Sequence, residues 1–391
     1  MSGCKVLLVG DRRFLDVDGE KYTEGPIGAE TGRRYHQWFD QVMVAGRRGT
    51  VGGSTRRMTK VTRPDLDIRF LPDVSGLGRR LRSVSEARIG LGRLFAEVDA
   101  VISRLPSELG IEAATLALRL GKPLALDIGG CVLDGMRFHG SLAGKLYAPV
   151  AYRRMRGVVR QAGWVSYVTQ RFLQERYPAR KEARTVACSD VDLPEPSRDV
   201  LTARFARIAD RSGPLVFGTI GSLYGKYKGI QHAIAAFGRI GSRLPPFQYR
   251  VLGGGDSTSW RELAVQHRVS DQVVFDGALP AGKPVFDWLD GVDVYLQPSL
   301  CEGMPRALIE AMSRGCPAIA SDVGGIPELL GREHMHAPGD IDGLAALIEL
   351  SIPATVRLDR ARCNWELTQR YTGSVLEQVR DGFWGAFRAS L

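Results

Sequence analysis

Short apolar runs alternate with stretches of helical period along the whole chain. Lys5-Val6-Leu7-Leu8-Val9-Gly10 is the first such run, and it has the length of a strand. Similar runs at Gln41–Ala45, Ile68–Leu71, Ala100–Ser103, Leu124–Asp127, Val165–Thr169 and Thr185–Cys188 predict further strands. Between them the 3.6-residue period predicts helices over Ser83–Glu97, Ser107–Leu120, Leu142–Gln161 and Arg171–Tyr177. Strands alternating with helices at this spacing imply a parallel sheet covered on both faces.

The rhythm breaks between Asp192 and Pro214, where Pro194, Pro196, Gly213 and Pro214 bracket a charged stretch. A domain boundary is expected there, dividing 1–193 from 194–372. The second half restarts the pattern. Strands are predicted at Leu215–Ile220, Tyr249–Leu252, Val273–Asp276, Val292–Gln297, Ala318–Ser321 and Met335–Ala337. Helices are predicted at Ile230–Ile240, Ser259–Arg268, Val285–Leu289, Pro305–Arg314, Ile326–Leu330 and Ile341–Leu350. A helical tail follows, Ala354–Tyr371 and then 373–391, with Phe383, Trp384 and Phe387 placed to anchor its end on the first domain. The expected fold class is α/β, two Rossmann-like doubly wound parallel-sheet domains. Such sheets bind ligands beyond the carboxyl ends of their strands, so two of them are expected to share a cleft.

Composition narrows the class. With 44% hydrophobic and 25% charged residues the chain reads as globular, not disordered. Its six cysteines lack Cys-x-x-Cys spacing and a histidine cluster, which argues against a disulfide frame or zinc site. No apolar run reaches transmembrane length, and the first is too short for a signal-peptide core, so a cytoplasmic protein is expected. The net charge of +10 is lopsided: residues 1–193 hold 32 Lys/Arg against 21 Asp/Glu. Such an excess attracts anionic surfaces and suggests peripheral contact with the inner membrane leaflet or an anionic lipid-linked partner. Arg79-Arg80-Leu81-Arg82 and Arg153-Arg154-Met155-Arg156 are the densest basic clusters. The second, with Leu146, Tyr147, Val150, Val158 and Val159, has the make-up of an interfacial helix. Aromatic residues are not interleaved with these arginines, which argues against nucleic acid as a partner.

The candidate chemistry concentrates in QPSLCEGMPRALIEAMSRGCPAIASDVGGIPELL, residues 297–330. A buried strand ends near Gln297, a short loop carries Glu302 and Gly303, and Pro305 suits the first turn of a helix. The free N–H groups of the turn through Gly303, Met304, Pro305 and Arg306, where Pro305 itself carries none, form an anion site. Glu302 beside that terminus and Glu310 further along can accept hydrogen bonds from sugar and ribose hydroxyls. On spacing alone the pair also reads as a capping carboxylate and a partly solvated helix glutamate.

The surrounding string resembles glycosyltransferase family 4, the retaining enzymes of GT-B fold. Glu302-Gly303-Met304-Pro305 and Glu310-Ala311-Met312 match the family signature E-G-x-P-x-x-x-x-E-A-M, and Gly315-Cys316-Pro317 and Ser321-Asp322-Val323-Gly324-Gly325 extend it in register. The resemblance implies that Glu310 binds the nucleotide ribose and that Glu302 contacts the donor sugar near the reacting centre. Gly221-Ser222-Leu223 followed by Lys226-Tyr227-Lys228-Gly229 resembles the family's G-R-L and K-G. Lys228 is thereby implied to neutralise the donor diphosphate, while Ser222 replaces the usual arginine, for which Lys226 or Arg306 could substitute. Gly253-Gly254-Gly255 resembles the family's G-x-G, Phe275-Asp276-Gly277 resembles the strand end whose backbone reads the base, and the resemblance implies a hydroxyl from Ser299 near the phosphates. In the first half Glu24-Gly25-Pro26-Ile27-Gly28 resembles a loop close to donor and acceptor in bacterial polysaccharide-type members, and Asp127 occupies an acceptor-side strand end.

The resemblance implies a nucleotide-diphosphate sugar donor, UDP-linked as the first expectation, a glycan or lipid-linked acceptor, and no cofactor or essential metal. Three rivals stand beside it. One is a metal-dependent transferase using an Asp-x-Asp pair: Asp16/Asp18, Asp65/Asp67, Asp190/Asp192 and Asp340/Asp342 are such pairs, and all are expected in turns. The others are a sugar epimerase or phosphorylase on the same scaffold, and a non-catalytic membrane- or anion-binding protein.

Overall fold

The computed structural model describes residues 3–24, 34–49, 58–61, 66–74, 80–139, 141–210 and 212–391. Gly25 and Gly28, Asp65 and Arg79 lie outside the described residues. The chain forms two compact units: Met1–Cys188 with Gln378–Leu391, and Ser189–Glu377.

In the first unit the strands are β1 (Lys5–Val17), β2 (Glu20–Glu24), β3 (Gln41–Arg48), β4 (Met58–Lys60), β5 (Asp67–Leu71), β6 (Ala100–Leu105), β7 (Leu124–Ile128), β8 (Trp164–Tyr167) and β9 (Arg184–Ala187). The helices are α1 (Arg80–Ala96), α2 (Glu108–Leu120), α3 (Val132–His139), α4 (Leu142–Gln161) and α5 (Phe172–Arg176). Seven strands run parallel in the order β5-β3-β1-β6-β7-β8-β9. The direction of winding reverses at β1, so the switch point lies between β1 and β6.

One feature departs from the sequence expectation. β1 does not end with the first apolar run at Gly10 but continues to Val17, where Phe14–Val17 pairs antiparallel with β2, and β2 with β4. Arg12 and Arg13 interrupt the apolar run and hide this extension in the sequence. Phe14 and Leu15 are nevertheless buried. The hairpin turns at Asp18-Gly19, both with positive φ, and Asp16 Oδ1 accepts the Gly19 amide at 3.1 Å. The Asp16/Asp18 pair therefore makes a turn.

The second unit contains β10 (Leu215–Ile220), β11 (Phe247–Leu252), β12 (Val273–Gly277), β13 (Val294–Gln297), β14 (Ala318–Ser321) and β15 (Met335–His336). Its helices are α6 (Arg198–Ala209), α7 (Ile230–Ile240), α8 (Thr258–Gln266), α9 (Lys283–Asp290), α10 (Arg306–Ser313), α11 (Ile341–Leu350) and α12 (Ala354–Thr368), and α13 (Gly373–Ala389) ends the chain. The sheet order β12-β11-β10-β13-β14-β15 is doubly wound, with its switch point between β10 and β13. The stretch expected from sequence to hold the domain boundary contains α6. Its Arg204 is buried and donates to the carbonyls of Leu289 and Arg314, at 2.9 and 3.0 Å, which satisfies carbonyls at the ends of two helices.

Phe383, Trp384 and Phe387 of α13 pack in one core with Val6, Leu8, Tyr35, Trp38 and Phe39 of the first unit. Trp38 Nε1 donates to Asp381 Oδ1 at 2.8 Å. Each buried aromatic contributes roughly 1.5–3 kcal/mol by transfer from water.

Three of the other Asp-x-Asp aspartates have local partners. Asp340 caps α11 by accepting the Gly343 amide at 2.9 Å, and Asp342 pairs with Arg239. Asp67 lies in β5 rather than a turn and pairs with Arg69 at 2.7 Å.

Candidate functional site

The carboxyl ends of β10 and β13 flank the switch point of the second sheet, and the chain there brings a charged cluster together. Lys228 Nζ donates to Glu302 Oε1 at 2.7 Å. Ser299 Oγ donates to the same oxygen at 2.7 Å, and Gln297 Nε2 at 2.9 Å. One carboxylate oxygen thus takes three donors, one of them charged, and charge-assisted bonds of this length are the strong ones. Behind them the Tyr295 hydroxyl donates to Gln297 Oε1 at 2.8 Å and accepts the Ile220 amide at 3.3 Å. Tyr295, Gln297 and Ser299 are fully buried, so this chain of bonds fixes the rotamers in front of it. Burial alone would depress the Lys228 ammonium, but the adjoining Glu302 carboxylate outweighs it and the net shift is upward.

The backbone that holds the pair is specified by glycines. Lys226–Lys228 forms a single 3-10 turn closed by Gly229 in the left-handed region, at φ 72°. A Cβ on Gly229 would lie 1.7 Å from the Pro298 carbonyl oxygen, so only glycine lets this turn press on the loop after β13. The Leu300 amide bonds the Tyr227 carbonyl at 2.7 Å and completes the contact. On the other side Gly324, at φ 60°, lies against the Glu302 carbonyl, which a Cβ would approach to 2.2 Å, and the Gly325 amide bonds Gly303 O at 2.7 Å. The Ser-Asp-Val-Gly-Gly turn therefore braces the loop that carries Glu302.

The other expected residues surround this pair. Gly221, Gly253 and Gly277 lie side by side across β10, β11 and β12: the Gly221 amide bonds Leu252 O at 2.9 Å and the Gly253 amide bonds Gly277 O at 2.7 Å. Gly221 also abuts the Lys228 stem. Gly255 follows with positive φ. Met304 and Pro305 are buried at the start of α10, with Pro305 as its N-cap instead of its first residue, and no side chain caps the terminus. Ser222 accepts the Tyr224 amide at 3.3 Å and so shapes the loop. Lys226 and Arg306 are exposed.

Glu310 stands apart from the cluster. It is half-buried on α10, and its carboxylate has no hydrogen-bond partner among the described residues. Burial pushes its carboxyl up from the ordinary value, Arg306 pulls it partly back, and Asp192 adds to the rise. Gln297 and Tyr295 were not singled out from the sequence; their signal was polar residues inside an apolar strand.

The first unit has its own pocket at its switch point, about 440 Å³ in volume, where Gly10, Asp11, Arg12, Arg104, Ser107 and Asp127 meet. Asp127 is buried and pairs with Arg104 at 3.3 Å. Asp11 accepts the amides of Glu108 and Leu109 at 2.9 and 3.2 Å and faces Arg47 at 3.8 Å. Arg12 lacks a carboxylate partner among the described residues. Burial, reinforced by the charge of Arg104, lowers its guanidinium to about 10. Arg12 too was missed from the sequence, since an Asp-Arg-Arg run after a strand reads as a solvated turn.

Residues 214–351 match the family of Glycosyl transferases group 1. The protein CapJ of Staphylococcus aureus is 31% identical over 255 residues, which cover 65% of this chain and 63% of CapJ. The amylovoran biosynthesis glycosyltransferase AmsK of Erwinia amylovora is 31% identical over 174 residues, 39% of this chain and 42% of AmsK. The chain thus spans under two thirds of the length of these relatives. Among solved structures, Anabaena Alr3699/HepE in complex with UDP-glucose superposes with a TM-score of 0.65 at 17% identity, covering 99% of this chain and 100% of that one. That likeness shows the fold, two parallel α/β sheets of GT-B type. Residues 214–351 thus form a domain of the group 1 glycosyltransferase type.

Proposed function

We propose that this protein transfers a sugar from a nucleotide-diphosphate donor, UDP-linked, to a hydroxyl of a glycan, lipid-linked or glycosylated acceptor, with retention at the anomeric carbon. The observation that carries the reading is the Lys228–Glu302 pair at 2.7 Å, set at the switch point of the sheet inside the family domain. Its three donors occupy Glu302 Oε1, and Oε2 is left for a sugar hydroxyl. The remaining Lys228 protons and the uncapped amides of α10 stabilise charge on the leaving diphosphate. The bond from the anomeric carbon to the diphosphate oxygen breaks, the bond to the acceptor oxygen forms on the same face, and the acceptor proton passes to the departing phosphate. Glu310, half-buried without a partner, suits a ribose diol. No side chain is assigned as a covalent nucleophile, and no metal enters the scheme.

UDP-linked sugar is supported by the neighbour solved with UDP-glucose, and a glycan acceptor by the relative in amylovoran biosynthesis. The Arg12 and Arg104 guanidiniums in the first unit's pocket favour an acceptor that carries a phosphate or carboxylate. The basic surplus of that half also favours work at an anionic membrane surface.

Incubating the protein with UDP-, GDP- and ADP-sugars, with and without a glycan or glycolipid acceptor pool, tests the assignment. Acceptor-dependent release of UDP, unchanged by a chelator, is expected. Interconversion of the donor sugar without acceptor would establish an epimerase, and complete, metal-reversible loss on chelation a metal-dependent transferase.

A further inference from the structure

Helix α4 divides cleanly by face. Ala151, Met155 and Val159 are buried in the first unit. The opposite face presents Leu142, Leu146 and Val150 at four-residue spacing, exposed to 76%, 75% and 46%. One turn further along, Arg153, Arg156 and Arg160 continue that face and, with Arg137 of α3, line a groove of about 460 Å³.

The acidic groups nearby are committed elsewhere. Glu108 and Glu112 bind Arg154, at 2.8 and 2.5 Å, Glu112 also binds Arg88 at 2.7 Å, and Asp134 faces Arg176 at 3.5 Å. None of the four groove arginines has a carboxylate partner among the described residues, and the Nε of Arg156 is buried without any hydrogen-bond partner. Four guanidiniums sharing one groove repel each other unless an anion lies among them. Val158 and Val159, which the sequence suggested for an interfacial face, are buried instead, and Leu142 takes their place.

We propose that this face docks on an anionic lipid bilayer: a phospholipid phosphate enters the arginine groove while Leu142, Leu146 and Val150 insert between acyl chains. A soluble polyanion would use the arginines and leave three exposed aliphatic side chains without a purpose, whereas a bilayer surface uses both halves of one helix face. The inference deepens the membrane part of the proposed function but needs no turnover, so it stands or fails separately from the transfer chemistry.

Co-sedimentation of the full chain with vesicles of phosphatidylcholine alone, or mixed with phosphatidylglycerol, tests it. Binding is expected to the mixed vesicles, at least about tenfold tighter than to neutral ones, and to weaken as salt rises. Arg153→Gln/Arg160→Gln removes most of the preference for phosphatidylglycerol. Leu142→Ser/Leu146→Ser weakens vesicle binding while leaving binding to soluble dextran sulfate unchanged. All four positions face solvent or the groove rim, and a thermal unfolding midpoint equal to wild type confirms that each variant is folded; Arg332→Gln, exposed on the second unit, is the control. Equal binding to both vesicle types, wild-type binding by the arginine variant, or an unchanged vesicle affinity in the leucine variant would each overturn the proposal.

Discussion

The two sheets reverse winding at the same topological position, yet they build different sites there. In the second unit the switch point is wired shut: a carboxylate oxygen with three donors, a buried Tyr-Gln-Ser relay behind it, and two left-handed glycines pressed on neighbouring carbonyls. In the first unit it is an open pocket in which Asp11 and Asp127 are paired and Arg12 is not. A rigidly braced site suits a ligand part that does not vary, such as a nucleotide diphosphate. A looser charged pocket suits a variable partner, which on the proposed function is the acceptor. On the proposed function, the second sheet would hold the donor and the first the acceptor.

The sharpest way to break this contrast is Lys228→Ala. On the proposed chemistry it lowers kcat by about 10²–10³-fold, as for other single charge-stabilising groups, with a smaller change in donor KM. Steady-state kinetics with saturating acceptor reads it, and a fall of less than tenfold would move the diphosphate away from Lys228. Gly229→Ala comes next. Its φ alone costs about 1–3 kcal/mol, and the overlap with Pro298 O adds to that. A lowered unfolding midpoint is expected, together with loss of activity because the turn that bears Lys228 must move.

These glycines also explain what could be read in advance. The second unit was legible because its motif residues are fixed by backbone collisions. Gly229, Gly324 and the Glu302 loop permit few substitutes, so the string from Gln297 to Leu330 carries its meaning in residue identity. The strands Leu215–Ile220 and Ala318–Ser321 and the helices Ile230–Ile240 and Leu142–Gln161 end where periodicity places them. The β1–β2–β4 extension was not legible, because its pairing is long-range and Arg12-Arg13 masks the alternation. Helix α6 was hidden by flanking prolines, and its buried Arg204 reads as a surface charge until its carbonyl partners are seen. Arg12 owes its place to a pocket assembled from four strands, β1, β3, β6 and β7, which local sequence does not encode.

Arg12→Gln sharpens the first unit's side of the contrast. An anionic acceptor should show KM raised about tenfold, the scale of one lost charge-assisted bond, with donor KM unchanged. Equal effects on donor and acceptor would assign Arg12 to the wrong substrate. The smallest effect concerns Glu310. Its folded pKa is raised above the unfolded value, so its contribution to stability is present at low pH and is lost as pH rises through the folded value. At neutral pH the ionised carboxylate therefore costs stability. Glu310→Gln should raise the unfolding midpoint slightly at neutral pH, and this gain should vanish under acid conditions. A midpoint lowered at neutral pH would show that the carboxylate is structurally satisfied.

Calorimetric titration of UDP into the wild-type protein, Glu310→Gln and Glu302→Gln tests the assignment of the second switch point most directly. UDP should bind the wild type, bind Glu310→Gln about tenfold or more weakly through the lost ribose contact, and bind Glu302→Gln nearly as well as wild type because that carboxylate meets the sugar and not the nucleotide. UDP affinity unchanged by Glu310→Gln, or no binding of UDP, GDP or ADP to the wild type, would contradict it.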